Sequence, residues 1–405
     1  MFSIFAATVM LFGASAVSMS GKVIDQDDQP MANVVVVIQT ARPRSGPAMM
    51  CPSCYPDCAK RFVTKADGKF QFDDLSDKLL LSLVAGATGY QGSATPHYDP
   101  LLEDEITIKL VKQLQSKNEF TFAGKVVDPN GRPISGSHVS IEEVLLDNGH
   151  GFGGARDKIT PLTISDENGE FKLIANEPLK RVRARLLTPR YAPEDLTWSA
   201  SDKRELIATL GPGASLCGRL FYQGKPLSET MIGIVQENRL VGNIVTPMDV
   251  STDHEGRFLF EHIPPNHDYT IYTQTGQNAR GVLPVSLVTI PAHGKLVDLG
   301  DLEANEPQKL TIVVRTEDGS PIPDKSGVFI GRQDAWDGKT LTLENQSEST
   351  VSLVDVGREL FFVSMKTPKY NVVRSEPLIQ PDLNRRYPIR IEKDCTLTII
   401  IAPSK

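Results

Sequence analysis

The sequence predicts an all-β chain of tandem β-sandwich domains, and three observations carry that prediction. A strand, turn, Pro-apolar, strand signature recurs four times at intervals of about 90–100 residues. A second signature, in which a hydroxyl residue ends one strand and a polar turn closes on Gly before Phe opens the next, recurs in the first three copies. Short runs such as Thr107-Ile108-Lys109-Leu110 alternate with the period of a strand, and nothing reads as a long amphipathic helix.

Taken in order, Gly21-Lys22-Val23-Ile24-Asp25 opens copy one and leads through Gln29-Pro30-Met31 to the apolar run 34–38. Gly124-Lys125-Val126-Val127-Asp128 opens copy two, through Gly131-Arg132-Pro133-Ile134 to 139–141. Gly218-Arg219-Leu220-Phe221 opens copy three, through Gly224-Lys225-Pro226-Leu227 to 231–235. A weaker fourth copy runs from 310–315 through Asp318-Gly319-Ser320-Pro321-Ile322 to 328–330. Gly supplies positive φ in each turn, and Pro stops the ladder just outside the strand. The second signature is Thr64 to Phe70, then Ser165 to Phe171, then Thr252 to Phe258. Asp166 and Asp253 are placed to form Asx-turns, whereas copy one has Lys65 there. Copy four has 344–350 in place of the Gly-x-Phe turn. About seven short strands per copy read as a sandwich. Polar stretches at 113–118, 210–213 and 304–308 place the boundaries. The expected division is a leader at 1–16, a first repeat at 17–115 with a Cys-rich insertion, then repeats at 116–211, 212–305 and 306–405.

Composition bounds the function. The 405 residues carry 43 Lys+Arg against 50 Asp+Glu, a net charge of −7, which argues against a nucleic-acid surface. The first charged residue is Lys22. The apolar run 4–12 is too short for a membrane helix, and Ala14-Ser15-Ala16 reads as a signal-peptidase site with cleavage before Val17. A secreted or periplasmic chain with no membrane span in its mature part is expected.

The motifs Gly-x-Val-x-Asp…Pro, Thr/Ser-Asp-x-x-Gly-x-Phe and the Phe260, Ile263-Pro264-Pro265 corner resemble those of the carboxypeptidase regulatory-like family, a transthyretin-like (prealbumin-like) β-sandwich. The resemblance covers the first three copies well and the last poorly. It implies bacterial, secreted, non-catalytic accessory domains, structurally close to carbohydrate-binding folds, which occur beside peptidases, outer-membrane transporters and adhesion modules.

Enzyme signatures are missing from the sequence. There is no His-Glu-x-x-His, no Gly-x-Ser-x-Gly elbow and no Tyr-Arg-Gly-Ser tail. Gly149 to Gly154 lacks the Lys-Ser/Thr of a phosphate cradle and reads as a flexible loop. His262 and His267 flank the Pro264-Pro265 corner as surface histidines, a metal pair being the alternative, and Asp25 to Asp28 reads as a solvated turn rather than a calcium loop.

Cys51, Cys54 and Cys58 are the unusual cluster. Three readings stay open. A local disulfide, with one thiol left over, ranks first for an oxidising compartment. A zinc or Cu(I) site ranks second, its fourth ligand drawn from Met49, Met50, Asp57 or water. Redox chemistry at Cys51 and Cys54 ranks third, because a β-loop with two prolines lacks the helix N-terminus that lowers a thiol pKa. Cys217 and Cys395 read as buried apolar residues. Trp336, beside the Asp337-Gly338 turn, is the candidate ligand-binding aromatic, with Tyr55, Tyr98 and Tyr191 expected in loops. The leading function is a non-catalytic, cofactor-free binding or spacer protein whose partner is an unknown protein or glycan of the cell envelope. A carbohydrate-binding protein is the alternative, and a metal- or redox-active protein using the Cys51–Cys58 loop is the second.

Overall fold

The computed structural model describes residues 17–44, 57, 60–102, 105–112, 120–156, 158–188, 190–199, 206–237, 248–277 and 280–404. Its elements are strands throughout, arranged as four sandwiches in tandem. No helix among the described residues is long and apolar enough to cross a membrane. Each sandwich has its own core, the first centred on Val23, Ile38 and Leu83, the second on Val126, Val182 and Leu186. The third centres on Leu216, Phe260 and Ile271, and the fourth on Ile312, Val363 and Ile399.

The first three sandwiches share one plan. In the first, Val17–Ile24 lies between Lys69–Leu75, antiparallel, and Ile106–Lys109, parallel. The facing sheet runs Arg61–Val63, Val35–Pro43, Leu79–Gly86, Ser93–Tyr98. The second sandwich repeats this with Phe120–Val127 between Glu170–Ala175 and Leu206–Thr209. The third does so with Ala214–Tyr222 between Arg257–Ile263 and Leu296–Glu303.

The two sequence signatures turn out to be cross-strand partners. Gly21 lies opposite Phe70, Gly124 opposite Phe171 and Gly218 opposite Phe258. Each Phe ring covers its glycine so closely that a Cβ there would run into the ring. The turn glycines Gly68, Gly169 and Gly256, all at positive φ, press against the carbonyls of Val23, Val126 and Leu220. Their own carbonyls accept from the amides of those same three residues at 2.8 Å. The hydroxyl of the signature also has a fixed task. Thr64 Oγ1 donates to Met31 O at 2.6 Å and accepts from Val34 N at 3.0 Å. Ser165 repeats this with Ile134 and Ser137, and Thr252 with Leu227 and Thr230. The Pro-apolar turn is thereby stitched to the strand after it.

The fourth sandwich departs at the same places. Ile312 stands opposite Val351, so neither glycine nor covering ring is present. Its Gln308–Thr316 strand pairs with Glu348–Val356 and with a nine-residue Cys395–Pro403, on which Tyr370–Glu376 adds a further strand. Ile399 and Ile401 of the Cys395–Pro403 strand fill the core and Ile400, on its opposite face, is buried too, which suits the unbroken apolar run.

Several local expectations are corrected. Gly151–Gly153 is a strand paired with Glu143, Val144 and Leu145, not a flexible loop. The hairpin closes through Leu146 N to His150 O and Asn148 Oδ1 from His150 N, with Gly149 at positive φ, and Phe152 packs on the core. Tyr98 ends a strand rather than lying in a loop. Cys217 and Cys395 are half-buried rather than buried. Leu216 points inward, so alternation turns Cys217 outward beside Asp298. Burial and the Asp298 carboxylate push its thiol pKa up.

Candidate functional site

Strand alternation gives every sandwich an outer face on its second sheet, and the four faces are not treated alike. On the first, Val35 and Val84 point outward, because Val36, Leu83 and Ala85 fill the core. Leu162 and Ile164 of the second sandwich cover them, with Gly86 and Gly92 leaving room for Leu162. Gln39 Nε2 donates to Ile141 O across the same boundary at 3.1 Å. His138 is buried there with Nδ1 unpartnered, and burial, with the Arg61 charge, pushes its pKa down to about 4.

On the third sandwich the outward residues are Val235, Thr270 and Tyr272, and the fourth sandwich closes on them. Ala335 packs against Val235 and Tyr272. Trp336 N donates to Tyr272 Oη at 3.0 Å, and Thr270 Oγ1 donates to Asp334 O. Behind this patch lies a buried polar clasp. Arg332, at the end of Gly327–Arg332, donates to Asp337 through Nε and Nη2, to Glu359 through Nη1 at 3.0 Å, and to Thr273 O at 2.9 Å. Its guanidinium lies 4.9 Å from the Tyr272 ring centroid. Asp337 Oδ2 also accepts from Thr275 N and Oγ1, each at 2.9 Å. Asp355 accepts from Gly276 N at 2.7 Å and Gln277 N at 2.8 Å. The fourth sandwich thus holds the 273–277 segment of the third by its main chain.

The electrostatics close on themselves. The side chains of Arg332 and Asp337 are each 1% exposed. Burial opposes the charge on Arg332, but Asp337 and Glu359 outweigh it and raise its pKa. Burial likewise opposes ionised Asp337, but Arg332 and Thr275 outweigh it and hold its carboxyl below the usual range. Glu359, nearer solvent, is pushed up by burial. At the rim, Asp249 is exposed as a residue, yet burial of its carboxyl and the charge of Asp337 push it up to about 6 against Gln274 and Lys339. Chemically the arrangement is a joint whose polar atoms are turned on one another.

The sequence-nominated residues fall in different places. Trp336 is 39% exposed at this junction, while Trp198 is buried between Phe122 and Phe171. Cys51, Cys54, Cys58 and Tyr55 lie outside the described residues. Among the described residues, no three His, Cys, Asp or Glu side chains gather as a metal site. His262 Nδ1 bonds Pro212 O and His267 Nδ1 meets Gln236 Nε2, so the two face different partners. Asp25 Oδ1 accepts from Asp27 N and Gln29 N as a turn cap. Arg332, Asp337, Asp355 and Glu359 escaped sequence reasoning; the one signal was a fourth copy that abandons the repeat.

No family model matches the chain, and no curated protein sequence matches it. Solved structures give distant likenesses. The Bacillus anthracis TIE protein is 10% identical with a TM-score of 0.20, covering 97% of this chain and 75% of that one. A streptococcal ancillary pilin is 12% identical with a TM-score of 0.24, covering 71% of this chain and 99% of its own. The major pilin subunit of Bacillus cereus is 10% identical with a TM-score of 0.20, covering 72% and 99%. Likeness of this degree identifies no function.

Proposed function

We propose that the chain is a non-catalytic structural protein of the cell envelope or the secreted space, a string of sandwiches that holds surface loops at fixed separation. The division at 17–115, 116–211, 212–305 and 306–405, with carboxypeptidase regulatory-like repeats, belongs to this reading. The observation that carries it is the clasp: a fully buried Arg332–Asp337 pair spends its hydrogen bonds on the main chain of the neighbouring sandwich rather than on an open site. The apolar run 4–12 followed by Ala14-Ser15-Ala16 supports export.

Amide hydrogen exchange on the full chain tests the structural role. Loop amides of Thr275, Gly276 and Gln277 are expected to exchange as slowly as core strands, because Asp337 and Asp355 hold them. Fast exchange at these amides overturns the reading, and recovery of the protein only from the cytosol overturns the compartment. A second reading, glycan binding, rests on the partly exposed Trp336 indole. It expects retention on a polysaccharide that Trp336→Ala abolishes.

A further inference from the structure

We infer that the chain is two rigid two-sandwich arms joined by a single bend at Gly211-Pro212, and that His293 is the pin that holds the bend. This goes beyond a uniform rod: it says where the string yields and which side chain holds it there.

The outer faces pair the sandwiches. The first and third carry apolar outer faces that the next sandwich covers. The second and fourth close their own. On the second, Arg185 bonds Asp195 at 3.1 Å and Glu142 at 3.3 Å, while Arg183 reaches Asp195 and Glu143. On the fourth, Arg386 lies 4.4 Å over the Phe362 ring, and Phe329 fills the space above Gly331 and Gly338. Among the described residues no apolar cluster spans the second and third sandwiches.

What joins those two is the linker itself. The second sandwich grips it through Leu210 N to Val127 O and Ala192 N to Gly211 O, both at 2.9 Å. The third grips it from the next carbonyl onward. His262 Nδ1 meets Pro212 O at 2.8 Å, Gly213 N donates to His293 Nδ1 at 3.0 Å, and Gly294 N donates to Gly213 O at 2.7 Å. Between the two gripped carbonyls lie a planar peptide, a ring-locked proline φ and one free torsion, Pro212 ψ. The His293 ring crosses that point. It lies against Gly211 so closely that a Cβ there would enter the ring, so a third-sandwich side chain sits on a residue the second holds.

The two histidines grip the linker differently. His262 Nδ1 donates to the Pro212 carbonyl, a contact made wholly on the third sandwich's side of the bend. His293 Nδ1 accepts from Gly213 N while its ring lies against Gly211, so one side chain holds the main chain on both sides of Pro212. Removing that ring frees the bend and leaves both arms intact.

Pulsed dipolar spectroscopy on the full chain tests this, with spin labels introduced as non-natural residues so that the cysteines stay untouched. Labels at Glu167 and Lys225 report across the bend. Pairs at Lys69 and Glu167, and at Lys225 and Lys393, report within each arm. In His293→Ala the Glu167–Lys225 distance distribution is expected to broaden about twofold over that of the unsubstituted chain, with both within-arm pairs unchanged. His293→Gln, which keeps an acceptor for Gly213 N, should stay narrow. A Glu167–Lys225 width indifferent to His293→Ala overturns the inference. So does broadening at either within-arm pair, which would also count against the rigid structural reading.

Discussion

Removing Asp337 should uncouple the fourth sandwich from the third. In Asp337→Ala, Arg332 stays fully buried with Glu359 and Thr273 O as its remaining partners. Stripping one partner from a buried ion pair costs about 3–5 kcal/mol, and the surviving Glu359 contact places the loss near the lower figure. Thr275 also loses its acceptor for both N and Oγ1, which adds about 1 kcal/mol for the buried amide. The total of about 4 kcal/mol corresponds to a fall of roughly 8–16 °C in the melting temperature of a two-sandwich unit. Differential scanning calorimetry should show that fall, with the joint transition of sandwiches three and four splitting in two. The triple variant Arg332→Met, Asp337→Leu, Glu359→Gln, which removes all three charges of the clasp, should recover part of the loss, the buried Thr275 amide remaining without its acceptor. A single transition displaced by less than about 2 °C in Asp337→Ala would refute the reasoning, because it would mean that the clasp contributes little to the coupling.

Other consequences are equally specific. Gly124→Ala drives a methyl into the Phe171 ring and towards Leu206 O at 2.8 Å, and should cost about 1–3 kcal/mol by urea denaturation. Thr252→Val deletes the hydroxyl between Leu227 O and Thr230 N in a buried turn, and should lower stability by about 1–3 kcal/mol. The His138 pKa, pushed down to about 4 in the folded chain, lies below the ordinary value of about 6.5, so the unfolded chain binds the extra proton. That contribution is complete above about pH 6.5, falls as the pH drops, and is lost by about pH 4, about 3 kcal/mol in all. In His138→Gln the urea midpoint should fall less than wild type across that window; equal falls would remove His138 as the cause.

The parts legible in the sequence were those that repeat. Gly21, Gly124 and Gly218 recur because a ring from the other signature covers each, so the spacing between signatures encoded a strand pairing. Asp166 and Asp253 cap their turns as local chemistry dictates, each accepting two main-chain amides. The clasp was illegible because it forms once. Arg332 and Asp337 are neighbours in sequence, but Thr273 O and Thr275 reach them only through docking of two sandwiches, and no pattern in one strand records its partner. Trp336 was read from its turn as a platform, whereas its amide belongs to the seam. Gly151 and Gly153 misled because glycine marks loops on average, while pairing and the Phe152 contact decided the outcome here.

In every sandwich the first strand has a parallel neighbour from the end of the same repeat (its last strand in the second, third and fourth, and Ile106–Lys109, just before the short Val111–Lys112 strand, in the first), so the chain enters at one end and leaves at the other. A force drawn along the string would therefore slide those two strands past each other, straining all the rungs between them together instead of peeling them singly. The ladders differ in length. Four registered pairs join them in each of the first two sandwiches, six in the third and seven in the fourth. Under tension the string would give way from its amino-terminal arm, while the sandwich that abandoned the repeat would hold longest.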